Sequence, residues 1–385
     1  MKILFNLPEI HLYQDTFTML NELANKVDSL EILTTPLSES GSQLINKRSL
    51  CSALQITSLP RHNYALHASQ WVQYRVDTQS IDVIHDLFGH FSHFCQAYFL
   101  KPRSFILLTT QRTTNWGWFK RVKPLHYGLN IKYAGQRLLS LWRDRRILSS
   151  VDHIVVLGPG HEKDLIQAHH LPASKISYIP SETDPTLFYP PSVQDESNRD
   201  LHRLLYTGAL SRNKGIDLIF DLFAHLAPKR PQLHLHLIGR FMPFEQDWFE
   251  STLNEHPYQD RITLFPAQPR ELLLQHYHQA NLYLFPSLFE GSPRSLREAV
   301  ASGCSCIASD IAGCRGIDPQ GHFLRFRAPS RLKEWIQATE EALDESFILR
   351  SQRQKQGWSR IQEAHAPHVV AHSYFDLYQK LLKSN

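Results

Sequence analysis

The chain has 385 residues, 42% of them hydrophobic and 20% charged, with a formal net charge of +4 at pH 7. This composition excludes a disordered or fibrous protein, and the length allows two domains of ordinary size. Apolar runs of about 18 residues are absent and the N-terminus turns polar after position 7, so we expect neither a membrane span nor a signal peptide.

The first half of the chain alternates between buried-strand patterns and helical patterns. Amphipathic periodicity predicts helices over residues 16–27 and 162–169. Short apolar runs, typical of strands covered on both faces of a parallel sheet, occur at 2–7, 30–34, 81–87, 104–110, 151–157 and 175–179. The alternation predicts a doubly wound α/β domain.

A proline-rich polar stretch, residues 180–200, predicts a linker to a second domain of the same class. Its helices are expected at 216–226, 293–302 and 331–343, and its strands at 204–207, 233–239, 262–265, 282–287, 304–309 and 323–327. A last helix, 373–382, carries an apolar stripe that must be buried. His234 and His236 share one strand face without a third ligand, so no metal site is expected.

Residues 280–310 concentrate the chemistry in a strand, loop, helix and strand. Ser292 is the expected N-cap and Pro293 the first helical residue. The first-turn amides and the helix dipole make an anion site, and Gly291 lets a ligand approach the backbone. Those amides belong to Arg294, Ser295 and Leu296.

Two carboxylates flank this predicted anion site. Glu290 and Glu298 stand about 7 to 10 Å apart at the rise of a helix. Each can accept hydrogen bonds from sugar hydroxyls, so the pattern predicts a nucleotide sugar as ligand. The alternative is a surface helix with two solvated glutamates.

Glu290 and Glu298, within PSLFEGSPRSLREAVASGCSCIAS, resemble the E-x7-E element of retaining GT-B glycosyltransferases, in particular glycosyltransferase family 4 (group 1). The segments YTGALSRNKGIDLIFDLFAHL and YIPSETDPTLFYP are similar to the start of that family's donor domain and the end of its acceptor domain. The resemblance implies two Rossmann-like domains with an interdomain cleft. Residues 1–185 would bind the acceptor and 200–362 the donor, with 363–385 forming a helix that crosses back to the N-terminal domain.

The resemblance also implies roles for single residues. Glu290 would hold hydroxyls of the transferred sugar and Glu298 the ribose, while the ammonium of Lys214 neutralises the leaving diphosphate. Ala209 stands where the family has an arginine, and we expect Arg212 to substitute, the alternative being a solvated side chain. The further donor contacts implied are Gly208, Gly291, Ser292, Arg294, Ser295, Leu296 and Ala267, the last in the loop that contacts the base.

The acceptor side departs from the family pattern. The first loop lacks the family's glycines, and Thr110, Gln111 and Arg112 stand where the family often places a histidine. Candidate acceptor contacts are Gln111, Arg112, His85, His90 and the neighbouring His93. The alternatives are ordinary loop residues and partly buried, hydrogen-bonded histidines.

The resemblance implies a retaining hexosyltransferase that moves a sugar from a UDP- or GDP-sugar to a glycan or lipid-linked acceptor, in cell-surface polysaccharide or glycolipid synthesis. No resident cofactor or metal is expected. No residue stands out as a covalent nucleophile, so retention is expected through front-side attack. A nucleotide-sugar epimerase of GT-B fold and a non-catalytic binding module remain as alternatives.

A basic segment, residues 101–146, suggests where the enzyme works. Residues 101–150 hold eleven lysines and arginines against one acid, interleaved with tryptophans and leucines. That mixture predicts reversible docking on an anionic membrane surface, the alternative being a basic face with its apolar residues turned inward. Nucleic acid is not expected, since no recognition motif occurs. Five cysteines without a CxxC pair indicate a reducing compartment, so we expect a cytoplasmic chain at the inner face of the membrane.

Overall fold

The structure is a computed structural model, and it describes residues 1–8, 13–37, 50–78, 80–87, 103–112, 114, 144, 145, 147–192, 196, 199–242 and 245–384. These residues group into two compact units, 1–184 together with 365–384, and 185–364. Each unit is built on one parallel sheet flanked by helices. The predicted pair of doubly wound α/β domains is confirmed.

The regular elements follow the predicted alternation closely. The described strands are β1 Lys2–Asn6, β2 Ser29–Thr34, β3 Leu54–Ser58, β4 Val83–Asp86, β5 Ile106–Gln111, β6 His153–Val156, β7 Ile176–Tyr178, β8 Asp200–Leu210, β9 His234–Phe241, β10 Ile262–Phe265, β11 Ala280–Phe285, β12 Ser305–Ser309 and β13 Leu324–Arg327. The described helices are α1 Gln14–Ala24, α2 Tyr64–Thr78, α3 His161–His169, α4 Ile216–Leu226, α5 Gln246–Asn254, α6 Arg270–Gln279, α7 Arg294–Ala301, α8 Ala312–Arg315, α9 Leu332–Leu343, α10 Phe347–Ala364 and α11 Pro367–Ser384.

The sheet of the first unit has the strand order β3-β2-β1-β4-β5-β6-β7. The chain runs outward from β1 to β3 and resumes at β4 on the other side of β1, so the strand order reverses between β1 and β4. Leu4 of β1 faces Glu31 of β2 and Ile84 of β4 in register. The central strands are buried on both faces, which explains their uninterrupted apolar runs.

The C-terminal helix α11 belongs to the first unit, although the whole second unit precedes it in the chain. It packs against α1 and buries the stripe of Val370, Tyr374, Leu377 and Tyr378. The helix begins at Pro367, earlier than the periodicity predicts, because a proline suits the first helical position.

The sheet of the second unit has the strand order β10-β9-β8-β11-β12-β13, so its order reverses between β8 and β11. Gly208 and Gly239 face each other on β8 and β9, and a Cβ on Gly239 would lie 1.7 Å from the Gly208 carbonyl oxygen. Helix α10 packs on α7 at Gly357, where a Cβ would meet Val300 at 2.8 Å. These close contacts hold β9 against β8 and α10 against α7.

The predicted linker is partly structured. Phe188 is fully buried in the core of the second unit, 6.0 Å from the ring of Tyr277. Arg199 is buried as well and donates to the carbonyl oxygens of Ala280 and Gly303. Residues 180–184 belong to the first unit, and the described residues from Pro185 onward belong to the second unit, where these two side chains anchor them. Within the described part of the chain, no helix has both the length and the apolarity to cross a membrane.

Candidate donor site

The residues predicted to bind the donor lie at the carboxyl ends of the strands of the second unit. Loops from β8 and β11 meet where the strand order reverses. In open parallel sheets, ligands bind in the crevice outside the carboxyl ends of the strands at this reversal. The topology therefore supports the predicted location.

The loop after β8 is locked to the loop after β11. It forms a 3-10 turn, Arg212–Lys214, followed by Gly215 in the left-handed region at φ 74°. A Cβ on Gly215 would lie 2.4 Å from the carbonyl oxygen of Pro286, so only glycine permits this approach. The amide of Leu288 donates to the Asn213 carbonyl oxygen at 3.0 Å. The two loops consequently act as one rigid support.

Lys214 and Glu290 form an ion pair on this support. The Nζ of Lys214 lies 2.5 Å from Oε1 of Glu290, which also accepts from the Ser287 hydroxyl at 2.9 Å. The side chains keep 25% and 13% of their surface exposed, so both can contact a ligand. The sequence analysis did not predict Ser287, because a serine at the end of a strand has no distinguishing pattern.

The backbone of the Glu290 loop rests on Gly313 of α8. A Cβ at this position would lie 2.5 Å from the Glu290 carbonyl oxygen and 3.0 Å from that of Gly291. A larger residue would push the loop out of place. The neighbouring Cys314 is fully buried, and burial is the main cause that raises the pKa of its thiol. A reactive cysteine is therefore not part of the site.

Helix α7 begins one residue later than predicted. Arg294 is its first residue, and Pro293 takes the cap position with extended backbone angles, φ −70° and ψ 106°. Ser292 does not cap the helix, because its hydroxyl oxygen accepts from the buried guanidinium of Arg297 at 2.6 Å. The shifted helix start does not change the predicted anion site. The backbone N–H of Arg297 donates to the Pro293 carbonyl oxygen at 3.3 Å, which is the first backbone hydrogen bond of the helix. The amides of Arg294, Ser295 and Leu296 lie before this bond, at the helix N-terminus.

Glu298, on α7, is 5% exposed and lies among tyrosines. The Tyr277 hydroxyl lies 3.4 Å from Oε2 of Glu298 and 2.7 Å from the hydroxyl of Thr207. Burial and the Glu298 charge raise the pKa of Tyr277 well above its usual range, so the phenol stays a hydrogen-bond donor. Arg270 approaches Oε1 of Glu298 at 4.0 Å and stacks over Phe188. The sequence missed Arg270, which follows the predicted base-contacting loop.

The other predicted donor contacts have separate placements. The Arg212 guanidinium lies 4.5 Å from the ring centroid of Trp248, and its backbone N–H donates to Glu245 at 2.7 Å. Burial raises the pKa of Glu245. Gly208 adopts φ 146° near the end of β8, and Ala267 is exposed in the loop after β10. Arg212 thus points to α5 while Lys214 points to Glu290, and the catalytic role of Arg212 stays a prediction.

The acceptor-side predictions fall on the first unit. His85 is fully buried, and its ring nitrogens contact the Tyr378 hydroxyl at 2.5 Å and the Thr110 hydroxyl at 2.7 Å. Burial, followed by the charge of His153, lowers the pKa of His85 to about 3. We therefore do not retain His85 as an acceptor contact. Gln111 is half-buried at the end of β5, and Arg112 stacks over Tyr13 at 4.6 Å.

Some predictions lie outside the described residues. These include His90, His93 and most of the basic segment 101–146. Of its described cations, Arg103 pairs with Asp152 at 2.6 Å. Membrane docking through this segment stays a prediction. Across the described residues, no cluster of three or more His, Cys, Asp or Glu has the arrangement of a metal site.

Comparison with known proteins relates this site to a family. Residues 192–355 match the family model of glycosyl transferases group 1, and this range contains every predicted donor residue. The GPI3 subunit of phosphatidylinositol N-acetylglucosaminyltransferase from Saccharomyces cerevisiae is 23% identical over 229 residues, which is 57% of this chain and 49% of that protein. The chain spans about half the length of the curated relatives it matches.

Solved structures extend the likeness to the whole chain. Sucrose-phosphate synthase from Thermosynechococcus elongatus superimposes with a TM-score of 0.76 at 19% identity, covering 100% of both chains. Anabaena HepE in complex with UDP-glucose superimposes with a TM-score of 0.73 at 15% identity, again over 100% of both chains. The chain therefore has the GT-B fold of two Rossmann-like domains, and its second unit carries the glycosyl transferases group 1 region.

Proposed function

We propose that this protein is a retaining glycosyltransferase that uses a nucleotide diphosphate sugar. The observation that carries the proposal is the Lys214–Glu290 ion pair beside the N-terminus of α7, where the strand order of the second unit reverses. A cation and a row of helix amides suit a diphosphate, and a carboxylate next to them suits sugar hydroxyls. Similarity to the group 1 family supports the same assignment.

In the proposed reaction, the bond between the anomeric carbon and the diphosphate oxygen breaks, and its electron pair stays on that oxygen. Lys214 and the α7 amides stabilise the resulting negative charge. The acceptor hydroxyl oxygen bonds to the same face of the anomeric carbon, and its proton passes to the departing phosphate oxygen. Glu290 holds the transferred sugar and does not form a covalent bond, which agrees with its contacts to Lys214 and Ser287.

Glu298 and Arg270 would define the nucleotide end of the donor. We assign the ribose to Glu298, whose carboxylate is held by Tyr277 and approached by Arg270.

A UDP-sugar is the preferred donor, supported by the HepE complex with UDP-glucose. A lipid-linked or glycan acceptor is preferred because the GPI3 relative is named for glycosyl transfer to phosphatidylinositol. Reaction at the inner face of a membrane, with docking through residues 101–146, is part of the same proposal.

Two measurements test the proposal. Calorimetric titration with UDP, GDP, ADP and their glucose conjugates identifies the nucleotide. A donor present at about 100 times its dissociation constant adds about 2.7 kcal/mol to the free energy of unfolding. NMR of the reaction with an acceptor panel then gives the anomeric configuration of the product. A retained configuration supports the proposal, whereas an inverted product contradicts it. Epimerised donor without acceptor would favour an epimerase, and donor binding without any turnover or hydrolysis would favour a binding module.

A further inference from the structure

A cavity lies at the end of the second unit's sheet that is opposite to the candidate donor site. It has a volume of about 560 Å³ and is lined by the residues around Arg199 and by one face of α10. Arg199 and Leu201 stand at the amino end of β8, whereas Lys214 follows its carboxyl end. The cavity is therefore distinct from the candidate donor site, and its volume is typical of a small-molecule site.

One arginine of this cavity is already neutralised. Arg199 donates from Nε and Nη2 to the two carboxylate oxygens of Glu196, at 2.9 and 2.5 Å. Its Nη1 donates to the carbonyl oxygen of Ala280 at 2.5 Å. Arg199 therefore has a full set of partners and anchors the wall structurally.

The second arginine, Arg350 on α10, is different. It is 5% exposed, and among the described residues its side chain has neither an ion pair nor a hydrogen bond. Burial and the nearby Arg199 lower the pKa of its guanidinium, which nevertheless remains charged because arginine is always protonated in proteins. Two nearby carboxylates, Glu196 and Glu345, raise that pKa, but each is already paired, Glu196 with Arg199 and Glu345 with Arg325 and Arg353. A buried charge without an ion pair of its own is unfavourable. An anion entering the cavity would supply the missing partner.

The remaining walls are mostly apolar. Pro190, Pro191 and Trp358 line the cavity, and Phe347 lies at its rim with 64% of its surface exposed. A ligand that pairs with Arg350 would thus lay its remaining body against rings and aliphatic carbon. Lys355 adds a second, exposed cation on the same helix.

We propose that this cavity binds a small amphiphile with one anionic head group, a carboxylate or a phosphate, on an apolar chain. The head pairs with Arg350 and the chain runs along Trp358 and Phe347. The proposal does not depend on the glycosyltransferase assignment, because no residue of the donor site contributes to the cavity. The same chemistry is offered by a free metabolite and by an anionic lipid.

The test uses the full chain and two soluble probes, octanoate and octyl phosphate, titrated calorimetrically. Octanol, which lacks the anionic head group, and inorganic phosphate, which lacks the apolar chain, serve as the matched control probes. We expect Arg350→Gln to weaken binding of both anionic probes about tenfold or more, since it removes a charged hydrogen bond in a buried site. Lys333→Gln, an exposed lysine on α9 that does not line the cavity, is the matched control and should leave the binding of both probes unchanged.

Thermal unfolding separates binding from folding. Arg350→Gln should be at least as stable as the wild type without ligand, because it removes a buried charge that has no ion pair of its own among the described residues. If that variant fails to fold, the exposed Phe347→Ala replaces it and should weaken octanoate more than inorganic phosphate. Failure of the wild type to bind either anionic probe overturns the proposal. So does equal binding of octanol and octanoate, or unchanged octanoate binding in a folded Arg350→Gln.

Vesicles distinguish the two sources of ligand. Phosphatidylcholine vesicles with and without phosphatidic acid are sedimented with the protein, in the presence and absence of octanoate. Binding that requires phosphatidic acid and is displaced by octanoate identifies a lipid head group. Octanoate binding without vesicle binding identifies a free metabolite, and both results support the proposed site.

Discussion

The Nζ of Lys214 lies 2.5 Å from Oε1 of Glu290, although 76 positions separate the two residues in the chain. They meet because β8 and β11 are neighbours in the sheet and because their loops are tied by the Leu288 amide and the Asn213 carbonyl oxygen. The close approach of Gly215 to Pro286 removes the remaining freedom. The ion pair is consequently preorganised before any ligand arrives.

Replacing Lys214 by alanine should lower the turnover number about 100-fold or more, because one group is lost from a site that stabilises developing charge. Steady-state kinetics with saturating donor measures the effect. Lys333→Ala, an exposed lysine on α9, is the control and should keep wild-type turnover. Wild-type turnover in Lys214→Ala would show that the ion pair is only structural.

Glu290 and Glu298 should respond differently to the change to glutamine. We expect Glu298→Gln to weaken UDP binding by about 1.5 to 3 kcal/mol, roughly 10- to 150-fold, because a charged acceptor of ribose hydroxyls is lost. Glu290→Gln should leave UDP binding intact and lower turnover by a similar factor. Calorimetry and kinetics on the same preparations separate the two effects, with the exposed Glu255→Gln as control. Matching behaviour of the two variants would contradict the assigned roles.

Gly313→Ala should displace the Glu290 loop. The new Cβ would lie 2.5 Å from the Glu290 carbonyl oxygen, and overpacking of this kind costs about 1 to 3 kcal/mol of stability. Turnover should fall with it, since the carboxylate moves relative to Lys214. Denaturant unfolding and kinetics check both effects. The neighbouring exposed Ala312→Ser should be silent, and equal behaviour of the two variants would refute the proposed contact.

The buried His85 should make stability depend on pH. Its pKa is about 3 in the folded protein, with burial as the main cause, against 6.5 for the ordinary side chain. Between these values the unfolded chain binds a proton that the folded chain does not, so the free energy of unfolding falls as the pH is lowered from 6.5 towards 3. The contribution is about 1.4 kcal/mol per pH unit and is absent above pH 6.5.

Denaturant unfolding between these pH values measures this dependence. His85→Asn should reduce the slope by the stated amount. Tyr378→Phe is the matched control, because it removes the hydroxyl beside the ring and keeps the imidazole. It should lower stability by about 1 to 3 kcal/mol while preserving the slope. An unchanged slope in His85→Asn would mean that His85 titrates alike in both states.

Most of the fold was predictable because buried parallel strands read as uninterrupted apolar runs. The exceptions have physical reasons. Strand β3 lies at the edge of its sheet with two of its five residues exposed and the other three half-buried, so LQITS shows no apolar run. Helix α10 is rich in Arg, Gln and Lys and buries only Arg350, Gly357 and Ile361, so its sequence shows little apolar periodicity. Helices α2, α5 and α6 were missed as well, because their buried faces are narrow, and α8 was missed because it has only four residues.

The candidate site was predictable only as far as local motifs reach. Glu290, Glu298 and Lys214 stand at fixed positions in strand-loop-helix patterns. Arg270 and Gly313 could not be found this way, since their contacts with Glu298 and Glu290 join distant parts of the chain. Ser287 contacts Glu290 three residues later, but a serine after a strand has no distinguishing pattern. The start of α7 was misplaced by one residue because the Ser292 hydroxyl accepts from Arg297, five residues later, and the pattern of a capping serine followed by proline does not reveal this alternative partner.

The position of α11 has a consequence for biosynthesis. The ribosome synthesises the first unit up to residue 184 and must then add about 180 residues before it reaches the α11 segment. At about 5 to 20 residues per second, this delay is roughly 10 to 40 s. During this delay, Phe17 and Leu20 on the apolar face of α1 lack the packing partners Tyr374 and Tyr378. A stalled nascent chain ending at residue 364 should therefore resist protease in its second unit and be cut in its first.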